Sequence, residues 1–301
     1  MAYKNTRRVA FGALMGAPFA ALQWRLLLLW VLLMLLPAMV VALPLMHALG
    51  ALLDHSVHAD AWARQFDAMM FGDTVRELSD SHGALGGTFF AALAITLLLA
   101  PLLNGMIVGS GRAGRSLGFG QLLQSGVVEY GRMFRLMLWS LLPYAAAVML
   151  VKTGMNMLDD KTEAVTLESQ AVSATYLVAW LSGLWVVLAQ VIVESGRAAF
   201  IADTGLRSAT VAIWRGIMQL LRRPFSSLFG YLFITAIGFG IAFALGVARA
   251  HTTPAGGLSV LLAFLLSQLV VVAIGWMRIA RLFALAEVAR SLVGGGRRVG
   301  Y

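Results

Sequence analysis

The sequence predicts an all-α, polytopic membrane protein with six transmembrane helices, and three observations predict it. Hydrophobic side chains make up 60% of the 301 residues and charged ones only 12%, a balance outside that of soluble domains. Apolar runs of about 20 residues recur along the chain, each enough to cross ~30 Å of hydrocarbon at ~1.5 Å per residue. The charges then sort by sign to opposite ends of those runs. A transmembrane β-barrel would instead need ~10-residue segments of alternating polarity. With no cysteine in the chain, disulfides, thiolate metal sites and cysteine nucleophiles are excluded.

The whole chain, 1–301, reads as one integral membrane domain. Its basic N-terminus carries Lys4, Arg7, Arg8 and Arg25 ahead of the first span, 26–50. That run outlasts the ~7–15 apolar residues of a secretory signal, so it reads as a retained anchor, with Pro37 and Pro44 predicted to kink or shorten it. Residues 54–82 form the longest polar segment, an extracytoplasmic loop. Within it Trp62, Phe66, Met69, Met70 and Val75 recur at helical spacing, as in a helix lying on a membrane surface.

The second span, 84–108, leads into the basic loop GSGRAGRS. Residues 116–135 then read as an amphipathic helix. Phe119, Leu122, Leu123, Val127 and Tyr130 lie on one face, opposite Gln121, Gln124, Ser125, Glu129 and Arg132. Spans three and four cover 136–158 and 171–193, joined by the acidic DDKTEAVTLESQ. A second amphipathic helix, 207–223, sets Val211, Trp214, Ile217, Met218 and Leu221 against Ser208, Arg215, Gln219 and Arg222. Pro224 opens the fifth span, 225–248. The sixth, 258–277, continues as a basic helix that frays into the tail 293–301.

Six spans put both termini on one side of the membrane. That side holds 18 of the 23 basic residues and 4 of the 14 acidic ones, Glu129, Glu194, Asp203 and Glu287. The bias predicts cytoplasmic termini, and it explains the net charge of +9 without nucleic acid.

Three segments also read as a cytoplasmic helix, a span out and a span back. Their joints are PFAAL from Pro18, MFRLM from Met133 and PFSSL from Pro224, with Phe anchors 115 and 91 residues apart. The returning spans exit through GRAGRS, SGRAAFIADTGLRS and RIARLFALAEVARS, each closing on Arg-Ser. This predicts a threefold parallel repeat, unlike the inverted repeats of many secondary transporters.

The candidate surface is the basic one. Arg132, Arg135, Arg197, Arg207, Arg215, Arg222, Arg223 and Arg281 would attract anionic headgroups, at about 1 kcal/mol per juxtamembrane charge, or dock a protein partner or second copy. The bland reading is a positive-inside belt whose few acids pair locally. On the other side His55 and His58, three apart, could share a metal, but no third ligand is fixed by spacing and solvated loop residues are the simpler reading. Asn104, Gln190 and Gln268 are candidate polar contacts inside the spans. No acid or arginine sits at a span midpoint, which argues against a charge-coupled carrier. Four-residue spacing of Gly105 and Gly109, and of Gly238, Ala242 and Gly246, suggests close helix packing. No cofactor motif and no catalytic constellation is found.

Residues 191–233, VIVESGRAAFIADTGLRSATVAIWRGIMQLLRRPFSSLFGYLF, resemble the joint of six-span bacterial inner-membrane proteins of unknown function. Those proteins are related to the membrane domain fused to some glycerophosphodiester phosphodiesterases. Ser208, Trp214, Arg222 and Pro224 carry the match. The resemblance implies the six-span fold and the compartment, and no catalytic residue. The expectation is a non-enzymatic scaffold or accessory subunit that binds a partner or anionic lipid through its cytoplasmic basic helices. The alternative is a permease subunit for neutral or amphipathic cargo, coupled to a separate energy source.

Overall fold

The computed structural model describes residues 11–54, 56, 68–80, 83–164, 168–252 and 257–293, and among them there is no strand. The helices are α1 (Phe11–Ala20), α2 (Trp24–Leu53), α3 (Ala68–Asp80), α4 (Gly83–Ala113), α5 (Phe119–Ala164), α6 (Glu168–Ala202), α7 (Ala209–Arg222), α8 (Pro224–Ala250) and α9 (Gly257–Val293). Six of them, α2, α4, α5, α6, α8 and α9, are long and apolar enough to cross a membrane. The chain is therefore an all-α, multi-pass membrane protein.

Proline does not end these helices. α2 runs through Pro37 and Pro44, α4 through Pro101 and α5 through Pro143. Each proline forfeits one backbone bond, and transmembrane helices tolerate that where neighbours or local adjustment satisfy the freed carbonyl. Nor does the helix expected over 116–135 stand apart. It is the first part of α5, which continues without a break through the span. The polar segment 54–82 does contain a helix, α3, with Met69, Phe71 and Val75 exposed; Trp62 and Phe66 lie outside the described residues.

The packed core occupies one end of the bundle. Its members include Leu14 and Ala17 of α1, Leu26 and Trp30 of α2, Met106 and Ile107 of α4, and Leu122 and Leu136 of α5. Phe200 of α6, Ala212 of α7, Ile234 of α8 and a continuous block from Ile279 of α9 complete it. This is the end that carries most of the arginines. Away from it the spans leave Leu36, Leu43, Phe90, Leu97, Leu142, Met149, Trp180, Phe239, Phe243 and Leu262 exposed. Such a belt suits hydrocarbon rather than water.

The second half of α9 is the centre of that core. Residues Ile279 to Ala286 are all buried, as are Val288, Ala289, Ser291 and Leu292. Helices α1, α2, α6 and α8 pack around α9. The sequence presents this stretch as a basic helix leading to a frayed tail, because Arg278, Arg281 and Arg290 mask an otherwise apolar run. Of those three arginines Arg281 is buried, Arg278 is half-buried and Arg290 is exposed.

Candidate arginine-rich site

Two helix joints build this end in the same way. In the first, α4 meets the start of α5, where Leu122, Gly126, Glu129, Met133 and Leu136 form the buried stripe. A Cβ on Gly105 would lie 2.8 Å from the carbonyl oxygen of Gly126, and one on Gly126 would lie 3.0 Å from that of Leu102. In the second, α6 meets α7, which buries Ala209, Ala212, Ile213, Gly216 and Gln219. A Cβ on Gly216 would lie 2.9 Å from the nitrogen of Gly196 and closer still to the carbonyl oxygen of Ile192. Backbone meets backbone in both, which only glycine permits. Of the other spaced glycines, Gly109 abuts Ser125 and Gly238 abuts Met277, whereas Gly246 faces open space.

Three of the five residues of the α7 apolar stripe point away from the protein, Val211 at 42%, Trp214 at 58% and Leu221 at 67% exposed, while Ile217 packs against the core beside Ala212 and Ile213. Gln219, assigned from sequence to the polar face, is buried and donates to the carbonyl of Leu285 at 3.2 Å. Two of the four residues that carry the resemblance have local structural reasons. Ser208 caps α7 by accepting from the amide of Val211, and Pro224 opens α8 where its missing N–H costs nothing. Gly114, at φ +62, closes α4 in the left-handed region.

All four acids at this end are in ion pairs. Glu129 meets Arg112 at 2.5 Å and Arg132 at 2.9 Å, and Asp203 meets Arg215 at 2.7 Å. Glu194 meets Arg281 at 2.9 Å, and Glu287 pairs with Arg290. Arg112 also donates to the carbonyl of Phe200 at 2.8 Å, tying α4 to α6.

Of the arginines proposed from sequence as a surface, Arg135, Arg207 and Arg222 are exposed, Arg132, Arg215 and Arg223 are half-buried, and Arg197 and Arg281 are buried. The list therefore divides into a surface set and an interior set. Arg281 donates to the Tyr231 hydroxyl at 3.2 Å and to Thr235 at 3.3 Å, and it lies 4.7 Å over the Tyr231 ring. Arg278 stands 5.6 Å over the Trp30 ring. Arg278 is not among the arginines proposed from sequence as a surface. Its spacing of three from Arg281, just past the end of an apolar run, is the signal that would have found it.

Each intramembrane amide sits on a different helix, Asn104 on α4, Gln190 on α6 and Gln268 on α9. Asn104 is buried and donates back to the carbonyl of Ala100 at 2.7 Å, while Gln190 and Gln268 are half-buried. A cavity of about 460 Å³ opens between α1, the end of α4 and α9, lined by Gln23, Ser110, Arg115, Glu287 and Arg290. None of the three amides lines it. His55 and His58 lie outside the described residues, among which no group of three or more potential ligands gathers. In comparisons with known families, curated proteins and solved structures, nothing matches this chain.

Proposed function

We propose that this chain is a non-enzymatic scaffold or accessory subunit of a bacterial inner membrane, with the arginine-rich end in the cytoplasm, where it gathers anionic headgroups. One observation carries the reading. Every acid at that end is already in an ion pair, so the surplus of arginine is left for an outside anion. The exposed Val211, Trp214 and Leu221 beside Arg222 give α7 the make-up of a helix seated in the headgroup layer. The resemblance of 191–233 to six-span inner-membrane proteins favours the same fold and compartment.

The same reading includes descent from a threefold repeat of docking helix, outward span and returning span. The alike joints of α4 with α5 and of α6 with α7 support it. So does the packing of α1 on α9, which places the first docking helix against the last returning span.

The test is affinity purification from native membrane, with co-purifying lipids and proteins quantified. Arg215 is a poor site for it, since reversal there would also repel Asp203. The variant R135E/R207E is expected to lose several-fold of its anionic lipid or its protein partner while still inserting. Each of the two charges contributes about 1 kcal/mol near an anionic surface. Undiminished co-purification from an intact, inserted variant would reject the proposal.

A further inference from the structure

The cavity between α1, the end of α4 and α9 has the make-up of a ligand site. Its volume of about 460 Å³ falls within the roughly 300–1,000 Å³ of small-molecule sites, and its lining mixes apolar residues with a few polar side chains. Three hydrogen bonds between residues distant in sequence fix its walls. Ser110 of α4 donates to the Gln23 side-chain oxygen at 2.6 Å, and Arg290 of α9 donates to the carbonyl of Gly111 at 3.3 Å. Trp276 of α9 donates to the carbonyl of Pro18 at 2.9 Å, which seats the end of α1.

The charged residues of the lining are Arg115, Glu287 and Arg290. Glu287 pairs with Arg290, which leaves the charge of Arg115 unmet. Arg115 is exposed, makes no ion pair or hydrogen bond among the described residues, and does not discharge. One surplus positive charge suits a ligand with one negative charge. A phosphodiester is such a group, and its free oxygens match the guanidinium fork. Gln23, Ser110 and Ser116 are neutral hydrogen-bonding groups, suited to hydroxyls beside the phosphate. The one carboxylate is already held by Arg290, so an ammonium would gain little.

Position and rim point to a lipid. Gln23 and Ser110 stand just outside the apolar runs 26–50 and 84–108, at the depth where lipid headgroups lie. Phe19 and Leu22 line the cavity and are still 77% and 62% exposed, so an apolar surface leads out of it. Trp24, two residues from Leu22, is also exposed and sets its ring edge-on to Phe119 at 5.5 Å, the aromatic make-up of a membrane interface. We propose that this cavity seats the headgroup of one phosphatidylglycerol-type lipid, a phosphodiester with a hydroxylated headgroup, from the leaflet at the arginine-rich end. The phosphate meets Arg115, the hydroxyls meet Gln23, Ser110 and Ser116, and the acyl chains leave over Phe19 and Leu22. Arg135 and Arg207 line no part of the cavity, so the site does not rest on the surface reading above.

Native mass spectrometry of the detergent-purified chain, with phosphatidylglycerol against phosphatidylcholine, reads it directly. One phosphatidylglycerol per chain is expected to survive activation about tenfold better than phosphatidylcholine. Arg115 has no partner to lose, so R115Q is expected to fold and to cut that preference to about twofold or less. A Cβ on Gly16 would meet open space at the cavity wall, so G16L puts a side chain into the site without a clash at its Cβ and is expected to lose the bound lipid. G12L, equally open but outside the lining, is expected to keep it. R135E/R207E is expected to keep it as well, so failure of the surface reading and failure of this site are told apart. A wild-type chain with no preference would overturn the site, as would an undiminished preference in R115Q or a lipid retained by G16L. Displacement of the lipid by millimolar dimethyl phosphate, the bare phosphodiester, would overturn the lipid in favour of a soluble phosphodiester.

Discussion

Glu194→Gln is expected to destabilise the protein by about 3–5 kcal/mol, the range seen when one partner is removed from a buried ion pair. Glu194 is 2% exposed and is the carboxylate paired with Arg281 at 2.9 Å. Glutamine keeps the volume and removes the charge. Arg281 would then be left without its carboxylate at the meeting of α6 and α9. The matched comparison is Glu287→Gln, since Glu287 and Arg290 are much more exposed and their pair is worth about 0–1 kcal/mol. Equilibrium unfolding in mixed detergent measures both. The double variant E194Q/R281Q tests the cause, because removing both charges should recover part of the loss. A loss no larger for Glu194→Gln than for Glu287→Gln would sink the argument that this carboxylate holds the end together.

The contrast between those two acids also shows how far the sequence is legible. The six spans follow from apolar runs whose length is set by the bilayer, and hydropathy reads that constraint well. Pairing within the arginine-rich end does not follow from composition. Glu129 with Arg132 and Glu287 with Arg290 are three apart on one helix and can be guessed. Glu194 with Arg281 joins residues far apart in sequence, and only the packing of α6 on α9 brings them together.

The amphipathic helices show a second kind of limit. The expected helices over 116–135 and 207–223 form from Phe119 onward and over Ala209–Arg222, but most of the apolar face of α7 is exposed and its Ala212–Gly216 side packs. The period of 3.6 reveals that two faces differ. It does not say which one meets protein, because lipid accepts the apolar side as readily as a core does. Gln219 marks the error: a glutamine opposite Trp214 reads as solvated, yet it is buried against Leu285. Glycine is the better guide in such a chain, since close backbone approach leaves no other choice.

That guide yields the other large effect. Gly216→Ala is expected to cost about 1–3 kcal/mol or more, the range for overpacking a well-packed contact. The new methyl would strike the carbonyl of Ile192 and the amide of Gly196, and neither is the end of a flexible side chain. Helix α7 must then lift from α6, exposing Ala212 and loosening the bond from Gln219 to Leu285. Gly126→Ala meets Leu102 and Met106 at the joint of α4 with α5 and should behave alike if the two joints share an origin. Gly131→Ala separates packing from propensity. It lies exposed within α5 with nothing near its Cβ, so alanine there should stabilise by about 0.5–1 kcal/mol. Unfolding midpoints for the three variants in one detergent order the effects. If Gly216→Ala is as stable as the parent, the close approach of α7 to α6 is wrong. If Gly126→Ala alone is tolerated, the joints are not equivalent and the threefold reading loses its main structural support.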